Sequence, residues 1–321
     1  MPHTSLRRLL TQPFTLRRMA EYTDATRAIV DELLDAMIGA GPVDVVRMPS
    51  EPLPIRVIVS ILGIPRGRRL PGAPVEPARR GHQRSRAGSP RTATPPRSSC
   101  CRSTALAAHA LFEFGRTRRR ATGEPRRRPG VEADHREVDG DHLTDAEFCN
   151  FFQLLVFAGN ETTRTAISNG LIAFMQHPEQ LQRLQDDPSL IPNAVEEVIR
   201  WATPVLHMRR TATADTELHG TRIAAGDWVV IWYASANFDE AAFERPLEFD
   251  VARPVKPEHV AFGAFGPHHC LGAPLARLEI RLLLEQLVAR RIRIEAAGIP
   301  ARVRSNFVNG VLSLPAVVAA G

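Results

Sequence analysis

The chain has 321 residues, 44% of them hydrophobic and 24% charged, with a formal net charge of +6. It is long enough to bury a large core, and its apolar content is ordinary for a globular protein. No apolar run reaches the roughly eighteen residues of a membrane span, and MPHTSLRRLL lacks the apolar stretch of a secretory signal. Four cysteines, Cys100, Cys101, Cys149 and Cys270, do not make a disulfide framework in a chain this long, so a cytoplasmic setting is expected.

The basic balance is local. Residues 66–130 hold seventeen Arg and three acidic residues, so the rest of the chain is net acidic. The absence of interleaved aromatics over 66–110 and of a binding motif argues against a nucleic-acid partner.

In chain order, residues 3–64 read as helices with short connections. An amphipathic stretch begins at His3. Residues 15–41 carry helical spacing and end at Gly39 and Gly41, and residues 51–65 form an apolar helix stopped by Gly63 and Pro65. Periodicity is then lost. The segment 66–135 is Arg- and Pro-rich and reads as aberrant, either a disordered insert or, the favoured reading, translation out of frame in GC-rich coding sequence. A single lysine, Lys256, fits that coding bias. A long helix is expected over 143–177, with Thr144 and Glu147 as a capping box, and a further one over 193–202. Residues 216–237 alternate as strand, turn at 225–227, and strand. A strong amphipathic helix follows over 272–291, and a hairpin closes the chain around Asn309 and Gly310. The sum is a mainly α chain with a small β component.

The segment VAFGAFGPHHCLGAPLARLEI carries the chemistry. Cys270 stands just before a helix N-terminus, where free N–H groups and the helix dipole favour a thiolate. Gly263, Gly266 and Gly272 let backbone pack against a flat ligand. A buried free cysteine is the plain alternative. A zinc site at His268, His269 and Cys270 is a poorer one, because no second ligand cluster has suitable spacing. Ala158-Gly159-Asn160-Glu161-Thr162-Thr163 puts glycine and hydroxyls mid-helix, which means either a kinked core helix or a distorted functional turn. Glu197 and Arg200, three apart on a helix, can pair. Arg210 is suited to a carboxylate partner.

With these residues in place, the chain resembles the cytochrome P450 family. Phe262, Gly263, Gly266, His268, Cys270 and Gly272 match its cysteine-ligand loop. The spacing before Gly266 is that of an actinobacterial branch acting on sterol side chains and branched lipids. The resemblance implies a P450 fold forming a single domain over 1–321, incomplete because the family's amino-terminal part has no counterpart here. It implies heme b as cofactor, with Cys270 as iron ligand and Phe262, Gly263 and Gly272 around it. His3, Arg7, Arg210 and His268 would hold the heme propionates, and Ala158 would lie against the heme. Thr162 would hydrogen-bond bound O2 and Glu161 would relay protons. Glu197 and Arg200 would be a buried structural pair with a third group from the segment before the cysteine loop. The implied reaction is monooxygenation of an apolar substrate. Electrons would come from NAD(P)H through a ferredoxin or other electron-transfer protein. Pro204 to His207, Val156, Phe157, Phe307 and Val308 would face that substrate. The alternative is an inactive remnant with impaired heme binding. Three departures stand out: His269 in a usually apolar place, Phe265 in an often small one, and Phe238 in place of an arginine, expected to weaken packing near the loop.

Overall fold

Apolar residues three and four apart set the helices, and their shared faces decide how the helices stack. The computed structural model describes residues 3–11, 14–61, 145–263 and 265–321. The 66–135 segment and Thr144 of the expected capping box lie outside these residues.

Helix α1 (His3–Thr11) precedes α2 (Leu16–Asp35), whose Ile29, Val30, Leu33 and Leu34 are buried. The reading of 15–41 as one helix is too long. The chain turns after Ala36 and passes Gly39 and Gly41 at φ 72° and 79°, backbone that glycine adopts without a Cβ penalty. Strand β1 (Pro42–Asp44) and a kinked turn over Val46–Ser50, extended at Met48, lead to α3 (Pro52–Ile61).

The long helix α4 (Asp145–Gln176) follows, then α5 (Pro178–Asp186), a 3-10 turn at Pro188–Leu190, and α6 (Ile191–Ala202). Helix α6 ends at Thr203, a β-branched residue at φ 34°. Its hydroxyl donates to the Arg200 carbonyl at 2.6 Å and accepts from Asn237 Nδ2 at 2.9 Å, so side-chain bonds hold an otherwise disfavoured conformation.

The β portion differs from the strand, turn and strand read over 216–237. Strands β3 (Thr216–Leu218) and β4 (Thr221–Ile223) form a tight hairpin through His219 and Gly220, both at positive φ. The turn at 225–227 exists, with Gly226 at φ 91°, but β5 (Trp228–Trp232) pairs with β2 (His207–Thr211) instead of with β4. Residues Tyr233–Asn237, expected as strand, form the short helix α7. Local alternation identified extended backbone; partner choice is tertiary.

Helix α8 (Ala273–Ala289) is followed by β6 (Arg293–Ala296), β7 (Ala301–Arg302), β8 (Val311–Ser313) and β9 (Pro315–Ala319). The closing hairpin is split. Strand β7 pairs with β8, whereas β9 is the centre of an antiparallel sheet of order β1-β9-β6.

The core lies where α2, α4, α6 and α8 meet. Leu34, Ala173, Leu184, Ala194, Leu282 and Ile292 have no exposed surface there. Each buried leucine contributes roughly 1.5–3 kcal/mol. Two helix crossings are close because a side chain is missing. A Cβ on Gly159 would stand 2.9 Å from Ile58 Cδ1 on α3, and one on Gly170 would stand 2.8 Å from Val198 Cγ1 on α6.

Candidate functional site

The cysteine loop is built on its own backbone. Gly263 and Gly266 take φ 81° and 120°, Gly263 N–H donates to Val260 O at 2.8 Å, and Cys270 N–H donates to Phe262 O at 2.9 Å. Helix α8 begins immediately after, with Gly272 as its cap and Pro274 in its first turn. Cys270 is a free thiol, open to solvent on one side. The expectation of a thiolate needs a correction for the thiol by itself. Burial of its other side pushes it up and outweighs the lowering effects of the Gly272 and Ala273 N–H groups and of Arg7 and Arg277. The helix start does face the sulfur, as expected, but metal-free it does not win.

Gly272 has an ordinary negative φ, and a Cβ built there meets nothing within 4 Å. Neither backbone conformation nor protein crowding asks for glycine at this position. A flat group lying against the backbone would.

Beside the loop, cationic and imidazole groups from three distant segments converge. His3 of α1 and His268 stack at 4.3 Å between ring centroids. Slight desolvation lowers the pKa of the exposed His268, and the charges of His3, Arg210 and Arg7 lower it further. Arg7 also donates to the His269 carbonyl, tying α1 to the loop. Among the described residues neither Arg7 nor Arg210 forms an ion pair with a carboxylate. Two guanidiniums and two imidazoles with no acidic partner are a donor set for a ligand bearing carboxylates.

The long helix differs from the expected distorted turn. It stays α-helical through 158–163, and Thr162 Oγ1 donates to the Ala158 carbonyl at 2.6 Å, satisfying its hydroxyl inside the helix. Glu161 accepts from Arg164 at 2.5 Å. Arg164 is fully buried, and its Nε has no partner among the described residues.

Segments expected to face a substrate come together in part. Leu206 N–H donates to Phe307 O at 2.9 Å, Asn309 N–H donates to Pro204 O at 3.1 Å, and Val205 bridges Val308. His207 packs its ring on Trp232 at 4.6 Å and lies 5.8 Å from Phe307. Val156 is buried and Phe157 is 40% exposed, on successive positions of α4. A recess of about 450 Å³ lined by Phe243, Glu244, Pro246 and Leu247 holds none of the expected site residues.

The Glu197–Arg200 pair is buried and gains a third member. Arg253 Nε donates to Glu197 Oε2 at 3.0 Å. Phe238 packs here, its ring 5.0 Å from the Arg200 guanidinium and 5.5 Å from Trp201. Of the other departures, Phe265 is almost fully exposed. Sequence reasoning missed Glu196, His259 and Arg277, which meet in one cluster. The only available signal was a histidine and an arginine flanking the cysteine motif.

A mainly helical fold, a cysteine at the start of a helix and, among the described residues, a basic cluster beside it without an ion-pair partner are what a heme-thiolate oxygenase would require. The family model described as Cytochrome P450 matches residues 116–290. The chain belongs to the cytochrome P450 family of monooxygenases, which implies heme. It is 39% identical to a methyl-branched lipid omega-hydroxylase of Mycobacterium bovis over 325 aligned residues, covering 98% of this chain and 72% of the relative. It is 37% identical to a steroid C26-monooxygenase of Rhodococcus jostii, covering 96% of this chain and 62% of the relative. Among solved structures, a cytochrome P450 from Novosphingobium aromaticivorans superposes with a TM-score of 0.79 at 32% identity, covering 98% of this chain and 75% of that one.

Proposed function

We propose that this chain is a heme-thiolate monooxygenase with Cys270 as its iron ligand and an apolar lipid or steroid as substrate. The observation that carries the reading is the stacking of His3 on His268 two residues before Cys270, with Arg7 bonded to the same loop and neither Arg7 nor Arg210 in an ion pair among the described residues. Those four groups would hold the two propionates. Phe262, Gly263 and Gly272 would lie against the ring, with Ala158 of α4 across from them.

When bound, heme supplies O2 activation with electrons from an external carrier, a ferredoxin-type protein drawing on NAD(P)H. The protein supplies the rest. The Gly272 and Ala273 N–H groups reach the sulfur and would temper its charge. Thr162 would turn its hydroxyl hydrogen bond from the Ala158 carbonyl toward the oxygen-binding space beside the heme, and Glu161, released from Arg164, would relay protons inward. Pro204 to His207 and Phe307 to Val308 would form an apolar wall for the substrate. The similarity to a methyl-branched lipid hydroxylase and a steroid monooxygenase supports that substrate class. A ligand thiol must stay reduced, which fits a cytoplasmic setting. Among the described residues no helix is long and apolar enough to cross a membrane.

A second reading, a remnant that keeps the family signature without turnover, is favoured by the exposure of Trp228 (71%) and Trp232 (49%) on a two-stranded sheet.

The deciding experiment is the reduced, carbon-monoxide difference spectrum of the chain supplied with heme, alongside Cys270→Ala. A red-shifted Soret band lost in the variant supports the monooxygenase. A neutral-ligand band or no heme uptake supports the remnant.

A further inference from the structure

We infer that Glu196 is the positioning residue of the cysteine loop, holding it through His259 on one side and Arg277 on the other. The inference rests on the reading of Cys270 as the iron ligand and extends it to the side chains that fix where that ligand stands.

Glu196 and Glu197 are neighbours on α6 with separate duties. Glu197 turns to Arg200 and Arg253. The Glu196 carboxylate instead takes three hydrogen bonds from outside its own helix. Arg277 of α8 binds it two-pronged, Nε to Oε1 at 2.7 Å and a terminal nitrogen to Oε2 at 2.9 Å, and His259 Nε2 reaches Oε2 at 3.1 Å. Glu196 and His259 are both largely buried, at 18% and 5% side-chain exposure, where such bonds resist screening.

Each arm continues to the loop. His259 Nδ1 accepts the Ala261 N–H at 3.2 Å. In the neutral ring, with Nδ1 accepting, the proton sits on Nε2 and is donated to Glu196, so the carboxylate favours the tautomer that lets the ring hold the loop's entry. Arg277 lies 4.6 Å from the centroid of the Phe262 ring. Phe262 in turn accepts the Cys270 N–H at 2.9 Å through its carbonyl. One carboxylate therefore governs both the segment entering the loop and the residue that bonds the cysteine backbone. Without its charge Arg277 is free to leave Phe262, and His259 has no reason to keep its proton on Nε2.

The test uses the full chain with Cys100, Cys101 and Cys149 replaced by serine, so that Cys270 is the single thiol. Glu196→Gln keeps the side-chain volume and removes the charge. Three readouts are taken: the His259 tautomer by nitrogen-15 NMR of the imidazole, the rate of Cys270 labelling by a maleimide, and the fraction of heme showing the red-shifted carbon-monoxide band. The variant is expected to lose the Nε2–H preference, label faster, and retain heme about ten-fold more weakly. If the variant is less stable to urea but its folded form keeps the wild-type tautomer and labelling rate, Glu196 is a general structural residue and the inference is overturned. Should Glu196→Gln not fold, Arg277→Met, at the exposed edge of the cluster, is read the same way by labelling. A parent chain that never shows the red-shifted band removes Cys270 as ligand; labelling and tautomer then still decide whether Glu196 holds the loop.

Discussion

Arg200 and Glu197 form a two-pronged ion pair, Nε to Oε2 at 2.7 Å and a terminal nitrogen to Oε1 at 2.9 Å, each residue with 1% of its surface exposed. The remaining capacity of both groups is used. Arg200 also donates to the carbonyls of Asn237 at 2.7 Å and Pro246 at 3.0 Å, while Glu197 takes the Asp250 N–H at 3.0 Å. Removing Arg200 leaves Glu197 with Arg253 as its remaining cation and strands the buried carbonyls that Arg200 served, and breaking such a buried pair typically costs about 3–5 kcal/mol. Arg200→Leu is therefore expected to lower unfolding free energy in urea by that amount. A loss under about 1 kcal/mol would show that the pair is dispensable.

Glu196 makes acid stability predictable. Burial by itself would raise its pKa, but hydrogen bonds from His259 and Arg277, and their charges, bring it from the usual 4.5 to about 2. A depressed folded-state pKa stabilises the fold above pH 4.5, and the contribution fades as pH falls through that value toward 2. The amount at neutral pH is on the order of 3 kcal/mol. Urea unfolding at pH 7, 4 and 3 should show a steeper acid loss in the parent than in Glu196→Gln. Parallel curves would contradict the assignment.

Two glycines on α4 should respond differently to alanine. At Gly159 the obstructing atom is the tip of Ile58, which can rotate away, and alanine gains about 1 kcal/mol of helix propensity. At Gly170 the obstruction is both methyls of Val198, at 2.8 and 3.3 Å, on a β-branched side chain that cannot rotate freely. Gly170→Ala is expected to cost about 1–3 kcal/mol, and Gly159→Ala to be near neutral or stabilising, by thermal unfolding.

The basic cluster can be tested separately from iron ligation. Arg7→Ala with Arg210→Ala is expected to weaken heme retention at least roughly ten-fold, since each charge-assisted bond contributes enough for that factor. The thiolate band of the remaining holoprotein should be unchanged. Gly272→Ala should also weaken retention, yet leave stability of the heme-free chain intact because its Cβ meets no protein atom within 4 Å. Unchanged heme titrations for both variants would place the cofactor elsewhere.

Much of the site was legible because its chemistry is local. The glycines, Cys270 and the helix behind it are adjacent in the chain, and their hydrogen bonds run within the loop, such as Cys270 N–H to Phe262 O. Glu197 and Arg200 are one helical turn apart, so their pairing follows from spacing. The long helix, the amphipathic helix after Cys270 and the mainly α class follow from periodicity in the same way.

What only tertiary structure decided was partnership across distance. Strand β5 pairs with β2 instead of its neighbour β4, and β9 sits between β1 and β6. Glu196 joins His259 and Arg277, sixty-three and eighty-one residues away. Periodicity records which face of an element is buried, but it does not record what that face meets. Hydrogen-bond and ion-pair partners are set by where helices and strands come to rest once the core has closed, and that arrangement is a property of the whole fold.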